Sequence, residues 1–225
     1  MTGWIDRALL SQHYDKILSD NKDRILSGGT GDGLLVDAGE DRRMALAILI
    51  RISPDIKKKI QDCIAELRVI EPDLYFYPEH DLHITVMDVL RGEEGRRIPE
   101  NIAQYIHCIE ECCRDISPFT IIFDGLTASD NAIMVRGFYD VELLRFREHL
   151  RNAFAETGLK LEERYKTISS HITITRLPKR YHDPEALMDY VTKPRFFGSM
   201  AVDSMEVTFH NWYDTKKSVL SKIYL

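Results

Sequence analysis

The stretch DLHITVMD, residues 81–88, shares the tripeptide His-Ile-Thr with a second stretch, SSHITITR, at residues 169–176. Both alternate apolar and polar residues, which is the pattern of a β-strand with one buried face. In each stretch the apolar residues are predicted to occupy one face of the strand, while a histidine and a threonine occupy the other. Two strands of one chain are therefore expected to present the same pair of polar side chains.

The two stretches end matching units of sequence. A strand near Ala45 is followed by a helical segment and then by His83, and a strand near Ile133 is followed by a second helical segment and then by His171. The spacings are equal, because 83 − 45 = 38 and 171 − 133 = 38. A duplicated strand-helix-strand unit favours packing about a pseudo-twofold axis, so that the two histidines face one another across it.

The rest of the chain reads as further helices and strands. The apolar run at 43–52 is of strand length, and Ser53 with Pro54 then forms a typical helix start. Helices are also predicted at 99–114, at 141–158 and after Asp183, with strands at 119–126 and 131–139 between the first two. One strand over 200–213 and another over 218–225, joined by a turn, are predicted to close the chain.

Residues 1–42 read as an N-terminal accessory segment that precedes a single larger domain at 43–225. An amphipathic helix is predicted at 5–20, and a loop rich in Gly and Asp follows at 27–43. This loop lacks the Lys and Ser/Thr of a P-loop, so a phosphate-cradling role is not indicated. Two interpretations of this segment remain, a mobile surface loop and a flap that covers a nearby site.

Composition limits the classes of function. The 225-residue chain has a formal net charge of −6 and a pI near 5.8, which argues against broad, nonspecific binding to nucleic acid or anionic membranes. No apolar run approaches the roughly 20 residues that span a bilayer. The first ten residues lack the features of a signal peptide. A cytoplasmic protein is expected.

The four cysteines are expected to be buried free thiols. Cys108, Cys112 and Cys113 share one helical-looking stretch, and Cys63 lies in another. A zinc site is the alternative, but no second cysteine pair is present. A metal bound by the two motif histidines would also need a carboxylate on the same strand face, and none is placed there. Neither a metal nor a cofactor is expected.

Two imidazoles beside two hydroxyls suit phosphoryl chemistry that needs no metal. A neutral histidine can take a proton from an attacking group, and a protonated one can give a proton to the leaving oxygen. Each such transfer contributes about 10²–10⁴-fold. Threonine hydroxyls can donate to phosphoryl oxygens as charge collects on them. A single strand histidine more often packs or faces solvent, so the argument depends on the matched pair.

Two further residues are candidates for substrate contacts. Arg176 follows the second motif and could hold a phosphate in a bidentate contact, although strict alternation puts it on the apolar face unless the chain bends at Leu177-Pro178. Among the aromatic residues near the motifs, Tyr77 is the best candidate to stack against a base. Core packing is the commoner fate of such a ring.

Two His-x-Thr motifs in a chain of this length resemble the two-histidine phosphoesterase superfamily, which includes RNA 2'-5' ligase-like proteins and cyclic nucleotide phosphodiesterases. HITV at 83–86 matches the first motif, and HITITR at 171–176 matches the second with its trailing Arg. ALAILIRISPDIKKKIQDCIAEL at 45–67 is similar to the strand-Pro-helix start of that fold. The resemblance covers 43–225. It implies an α+β fold of two pseudo-symmetric lobes, each an antiparallel sheet with helices outside, around a central groove.

The resemblance also implies roles. His83 and His171 would form the acid-base pair, and Thr85 and Thr173 would bind phosphate. The expected substrates are 2',3'-cyclic or 2'-5'-linked ribonucleotides, as a nucleotide or short RNA rather than DNA or a membrane, acted on by a monomer. A non-catalytic protein that binds a nucleotide or RNA end in the same groove is the alternative, and a structural protein with a relict groove is a third.

Overall fold

The structure, a computed structural model, describes residues 7–33, 35, 37–163 and 165–225. Within them the α-helices are α1 (Arg7–Leu26), α2 (Pro54–Ile70), α3 (Ile102–Cys113), α4 (Val141–Thr157) and α5 (Pro184–Thr192). The strands are β1 (Arg43–Arg51), β2 (Tyr75–Phe76), β3 (His83–Glu94), β4 (Phe119–Ser129), β5 (Ala132–Tyr139), β6 (Ile172–Arg176), β7 (Phe196–Val202), β8 (Ser204–Asn211) and β9 (Lys217–Tyr224). None of the described helices has the length and hydropathy needed to cross a membrane.

The described strands form one antiparallel sheet in the order β7-β4-β5-β6-β3-β1-β8-β9, with the short β2 beside β6. The order is symmetric about its centre. The motif strands β3 and β6 are neighbours there, and each is flanked by the strand that opens its own repeat, β1 or β5. We call β1, β3, β8 and β9 lobe 1, and β4, β5, β6 and β7 lobe 2. The predicted α+β fold with two pseudo-symmetric lobes is confirmed, and the two half-sheets are continuous.

Each repeat sends its connecting helix to the other lobe. α2 leaves β1 and packs against β7 and α5, whereas α4 leaves β5 and packs against β3 and α3. Apolar residues on one side of α2, among them Ile56 and Ile60, are buried, as their helical spacing predicts. On α4, Asp140 caps the first turn and Gly158, at φ 70°, ends the helix. This exchange of helices ties the lobes together on the face opposite the motif side chains.

The prediction of one strand over residues 200–213 is wrong. Asp203 alone separates β7 from β8, and β7 pairs with β4 in lobe 2 whereas β8 pairs with β1 in lobe 1. A single residue therefore carries the chain from one end of the sheet towards the other. The sheet must curl to allow this, which gives it the shape of a half-barrel with the motif strands at its centre.

The helix α1 lies on the groove face of lobe 2. Met134 of β5 pairs with Thr173 of β6, so the side chains of both residues share one face, and Phe138 lies on that same face of β5. The Tyr14 ring of α1 packs edge-on against Phe138, with ring centres 5.7 Å apart. Thr127, which pairs with Met134, donates its hydroxyl to the Tyr14 carbonyl at 2.9 Å.

The described part of the Gly/Asp-rich loop is hydrogen-bonded to both lobes. Near its start, the Thr30 amide donates to the Asp130 carbonyl and the Asp32 amide donates to the Leu177 carbonyl, each at 2.8 Å. Nearer its end, the Asn211 side chain donates to the Ala38 carbonyl at 3.2 Å. The predictions for residues 1–6, 34 and 36 lie outside the described residues, and a division at residue 42 stays a prediction.

The four cysteines are free and buried, as predicted. Burial raises the pKa of the Cys112 and Cys113 thiols to about 12, so these side chains remain protonated at neutral pH. Among the described residues, no group of three His, Cys, Asp or Glu side chains is arranged to hold a metal ion.

Candidate active site

The two motif strands meet at a single paired position in the centre of the sheet. Ile84 of β3 pairs with Ile172 of β6 in an antiparallel ladder. Both isoleucine side chains are fully buried, and the polar residues on either side of them are partly exposed on the opposite face. The predicted alternation is therefore present in both motifs around this position.

The antiparallel register brings the four motif side chains together on the groove face. Continued by one residue in each direction from the isoleucine pair, it sets His83 opposite Thr173 and Thr85 opposite His171. The two histidines are then diagonal neighbours, for which Cα atoms are typically about 7–8 Å apart.

His83 is oriented by a backbone carbonyl. Its Nδ1 lies 2.7 Å from the Asp81 carbonyl oxygen, which only accepts, so Nδ1 carries a proton and Nε2 is the free nitrogen. The His210 ring packs edge-on against it at 5.8 Å. The Asp214 carboxylate lies 3.8 Å from Nδ1, and the His83 side chain keeps 14% of its surface exposed.

Asp214 is the centre of a group of five charged side chains in lobe 1, which we call the carboxylate cluster. Arg51 and Lys217 both pair with Asp214, the lysine at 2.9 Å. Arg51 also pairs with Glu206, and Lys217 with Asp81, each at 2.7 Å. Three carboxylates and two cations give the cluster a net charge of −1, since −3 + 2 = −1.

The Asp214 carboxyl group stays ionised although it is fully buried. Burial alone would raise its pKa, but contacts with His210, His83 and Arg51 together outweigh burial and hold the pKa well below its usual range. The residue lies in the turn between β8 and β9 at φ 60°, in the left-handed region that Asp tolerates better than most side chains. The chain therefore adopts an uncommon conformation at this carboxylate.

The surroundings of His171 are cationic. Its Nδ1 lies 2.9 Å from the Ser169 hydroxyl, and its electrostatic neighbours include Arg176 and Arg147. Arg147 is fully buried and donates to the Val86 carbonyl at 2.9 Å and to the Ser169 carbonyl at 2.7 Å. Among the described residues, neither guanidinium pairs with a carboxylate.

Both imidazoles are neutral at pH 7 in the free protein. Burial lowers the pKa of His83 to about 4, partly offset by Asp214. Burial, followed by Arg176, lowers the pKa of His171 to about 3. No described residue hydrogen-bonds to Nε2 of either ring, so both nitrogens are available to a ligand.

A β-bulge sets the side-chain directions at the end of β6. On β5 the partners Met134 and Ile133 are adjacent, but their partners on β6, Thr173 and Thr175, are two apart. The extra residue is Ile174, and it shifts the alternation by one position. Strict alternation along HITIT predicts that Thr175 shares the polar face with His171 and Thr173. The side chain is fully buried instead, and it accepts a hydrogen bond from the Ile133 amide at 3.2 Å.

The same bulge turns Arg176 to the groove face, where it is the partner of Ala132. The bend at Leu177-Pro178 that strict alternation required is therefore unnecessary. The Arg176 guanidinium lies 5.7 Å from the centre of the Trp212 ring and close enough to His171 to lower its pKa. The basic group is in position to meet an anion that reaches His171.

Tyr77 is not an open stacking surface. It is 3% exposed, and its ring packs among those of Tyr75 and Tyr213, with centres 5.2 and 6.3 Å away. Its hydroxyl interacts with the Arg176 side chain. This geometry suits a residue that orients Arg176 better than one that holds a base, and the substrate-binding role remains a prediction.

Sequence reasoning missed Asp214, Arg147 and Ser169. Asp214 was predicted only as part of a turn, and nothing local marks a buried carboxylate. Arg147 did carry a signal, because it lies four residues after Leu143 and three before Leu150, on the buried face of α4. An arginine at a core position of a helix indicates buried hydrogen-bond acceptors nearby.

Comparison with solved structures agrees with the fold. Structures with a similar fold include TT0787 of Thermus thermophilus (18% identity, TM-score 0.63, covering 80% of this chain and 97% of that one). They also include apo LigT of E. coli (16%, 0.58, 81% and 97%) and the same protein with 3'-AMP (17%, 0.55, 81% and 97%). A search among curated proteins found no match.

A family model described as the 2'-5' RNA ligase superfamily matches residues 54–213, which is more than half of the chain. The match includes both His-Ile-Thr motifs and ends in the turn that carries Asp214, and it confirms the resemblance inferred from the motifs. The chain belongs to the 2'-5' RNA ligase superfamily.

Proposed function

We propose that the protein is a metal-independent phosphodiesterase that acts on 2',3'-cyclic or 2'-5'-linked ribonucleotides. In this proposal His83 and His171 are the general acid-base pair. Thr85 and Thr173 contact the phosphoryl oxygens, and Arg176 adds a cationic contact. The observation that carries the proposal is the central pairing of β3 with β6, because the four motif side chains share one face around it.

The chemistry follows from the free nitrogens. The Nε2 of one neutral imidazole accepts a proton from an attacking water as its oxygen bonds to phosphorus. The Nε2 of the other, protonated, imidazole gives its proton to the ribose oxygen as the old phosphorus–oxygen bond breaks. Each Nδ1 is held by a neighbouring oxygen, from Asp81 or Ser169, which keeps both rings oriented for these transfers.

A bound phosphodiester supplies the negative charge that allows one imidazole to hold a proton. Both histidines have pKa values below 7 in the free protein. The negative charge of the phosphodiester raises the pKa of an adjacent imidazole, so binding is accompanied by proton uptake. E. coli LigT has been crystallised with 3'-AMP and with phosphate, which supports a nucleotide phosphate as the ligand of this groove too.

The test is turnover of a panel of 2',3'-cyclic nucleotides and 2'-5'-linked dinucleotides in the presence of EDTA. His83→Ala and His171→Ala are each expected to lower kcat by about 10²–10⁴-fold. His80→Ala is the matched control, because this histidine is 77% exposed and only three residues from His83. Folded motif variants with wild-type turnover, or a wild type that EDTA inactivates, would contradict the proposal.

The same lowered pKa values favour a second candidate, a protein that binds a nucleotide or RNA end without turning it over. A site with two neutral imidazoles holds no proton for a leaving group until a ligand provides the charge. Calorimetry that finds tight binding of a nucleotide, with no product after hours of incubation, would support this candidate over the enzyme.

A further inference from the structure

We infer that Asp214 is a positioning residue that keeps the catalytic proton on His83, so that His83 is the proton donor to the leaving oxygen and His171 the proton acceptor. The inference rests on the proposed function and assigns the two roles that the motif leaves equivalent. It is carried by the different charges around the two rings.

The first step is the position of the Asp214 carboxylate. It lies 3.8 Å from Nδ1 of His83, on the side of the ring away from the free Nε2. Nδ1 already donates to the Asp81 carbonyl, so Asp214 acts on the imidazolium through its charge rather than by a hydrogen bond. The turn fixes the carboxylate, because the Asp214 amide donates to the Asn211 carbonyl at 3.0 Å.

The second step is the sum of charges that face His83. The carboxylate cluster has a net charge of −1, including the cations Arg51 and Lys217 that pair with Asp214. The remaining titratable groups facing this ring are His210, which contacts its edge and Asp214, and His171 across the strand pair. The buried setting strengthens these interactions relative to water, so the cluster favours a positive charge on His83.

The third step is the opposite sum around His171. The groups that face it are Arg176 from the same strand, Arg147 from α4, His13 from α1 and His83 from β3. The two guanidinium groups contribute +2, and no described carboxylate pairs with either. Its Nδ1 partner is the neutral Ser169 hydroxyl, which can donate to an unprotonated Nδ1. Each of these features favours the neutral form of His171.

With these roles, the protons follow one path through the reaction. A proton from solvent joins Nε2 of His83 when the phosphodiester binds. Nε2 of His171 takes a proton from the attacking water, whose oxygen bonds to phosphorus. His83 gives its proton to the ribose oxygen as the bond to phosphorus breaks, which leaves His171 protonated. Loss of that proton to solvent, and uptake of another by His83, restores the starting state.

The experiment follows the protonation of both rings by NMR in ¹⁵N-histidine-labelled protein, free and saturated with 3'-AMP, with single-histidine variants for assignment. In wild type, His83 is expected to become protonated at higher pH than His171 in both states. Asp214→Asn is expected to lower the pKa of His83 and to reduce kcat on a 2',3'-cyclic nucleotide at least tenfold, with a smaller change in KM. Asp189→Asn is the control, because Asp189 is exposed on α5, which packs against β4 in lobe 2.

A second variant guards against a merely structural effect. Lys217→Met removes a cation from the cluster, so it is expected to raise the pKa of His83, the opposite direction to Asp214→Asn. It also keeps the inference testable if Asp214→Asn does not fold. Protonation of His171 before His83, or an unchanged His83 titration in the folded variants, would overturn the inference.

The outcomes separate this inference from the proposed function. If His83 takes the first proton but no phosphodiester is turned over, the proposed enzyme activity fails and the charge assignment stands. If turnover is found but His171 takes the first proton, the activity stands and the division of roles fails.

Discussion

The two motif histidines each precede one of the paired isoleucines, Ile84 and Ile172, but the charges around them are opposite in sign. His83 lies beside a carboxylate cluster of net charge −1, and His171 lies beside two guanidinium groups that have no described carboxylate partner. The cluster depends on the turn between β8 and β9, and one of the guanidinium groups depends on a bulge in β6. The duplicated unit thus fixes the positions of the two histidines, whereas charged residues that the two repeats do not share distinguish their surroundings.

The largest expected effect that tests the difference between the two histidines comes from a change of leaving group. With a ribose leaving group, His83→Ala is expected to lose about 10²–10⁴-fold in kcat because the leaving oxygen is not protonated. A p-nitrophenyl phosphodiester needs no such proton, so the loss is expected to shrink to within about tenfold of wild type. Steady-state kinetics with both substrates measures the difference.

The matched variant for that experiment is His171→Ala. It removes the proton acceptor, which both substrates need, so its deficit is expected to be similar with each of them. Rescue of His171→Ala in place of His83→Ala by the activated leaving group would reverse the assignment of the two histidines.

The pH profile is the next largest effect. The pKa values of about 4 and about 3 put both rings in the neutral form above pH 5. The share of free protein that carries one proton then falls about tenfold for each pH unit, so kcat/KM is expected to drop about 100-fold from pH 6 to pH 8. A bell-shaped profile centred near pH 7 would contradict the low values.

The pH dependence of protein stability reports on the lowered histidine pKa values without any assay of activity. The pKa of His83 in the folded state lies below the unfolded value of about 6.5, so the unfolded chain binds more protons between these values. The free energy of unfolding is then expected to fall as pH drops from about 6.5 towards 4. Relative to His83→Gln, the wild type is expected to lose up to about 1.4 kcal/mol more per pH unit in urea unfolding.

A substitution at Arg176 is expected to change the difference in pKa between His83 and His171. Arg176→Gln removes a charge-assisted phosphate contact of about 1.5–3 kcal/mol, which predicts a loss in kcat/KM of about 10- to 100-fold. It also removes a cation that lowers the pKa of His171, so that pKa is expected to rise. Lys179→Gln is the control, because it removes an exposed cation three residues away. Equal losses in both variants would indicate a general field effect.

The last effect concerns the free energy of unfolding rather than activity, and it involves α1, which packs on lobe 2. The buried Tyr14 hydroxyl accepts from the Ser170 amide at 3.1 Å and donates to the Gly137 carbonyl at 2.9 Å. Tyr14→Phe leaves these groups unpaired next to His171 and is expected to cost about 1–3 kcal/mol of unfolding free energy. Tyr224→Phe, at an exposed ring, is expected to change it by less than about 0.5 kcal/mol. Equal stability of both variants would mean that α1 does not hold the second motif in place.

The repeat, the lobes and the facing motifs could be predicted because each depends on local alternation and on a duplication visible in one chain. The break at Asp203 was missed because no Gly or Pro marks it. A weaker signal was present, since the buried positions move from Met200 and Val202 to Met205 and Val207, from even to odd numbers. A strand that continued unbroken would have kept one parity.

The charges around the site could not be predicted in the same way. Asp214 is buried against Arg51, 163 residues earlier in the chain, and no local pattern reports that contact. The direction of Arg176 depends on how β6 pairs with β5, which is a property of two strands and not of the motif. The sequence could therefore predict the motif residues, whereas their partners from distant parts of the chain could be identified only from the folded structure.

The bulge at Ile174 means that the six residues HITITR do not form a self-contained cassette. Grafted onto a regular strand of another protein, the same letters would present the imidazole and the first hydroxyl but send the guanidinium into the interior. Deleting Ile174 here would instead leave a regular strand, in which Arg176 keeps its groove-facing position opposite Ala132. A search for related sites that assumes an unbroken strand will therefore discard the arginine that this fold delivers to the groove.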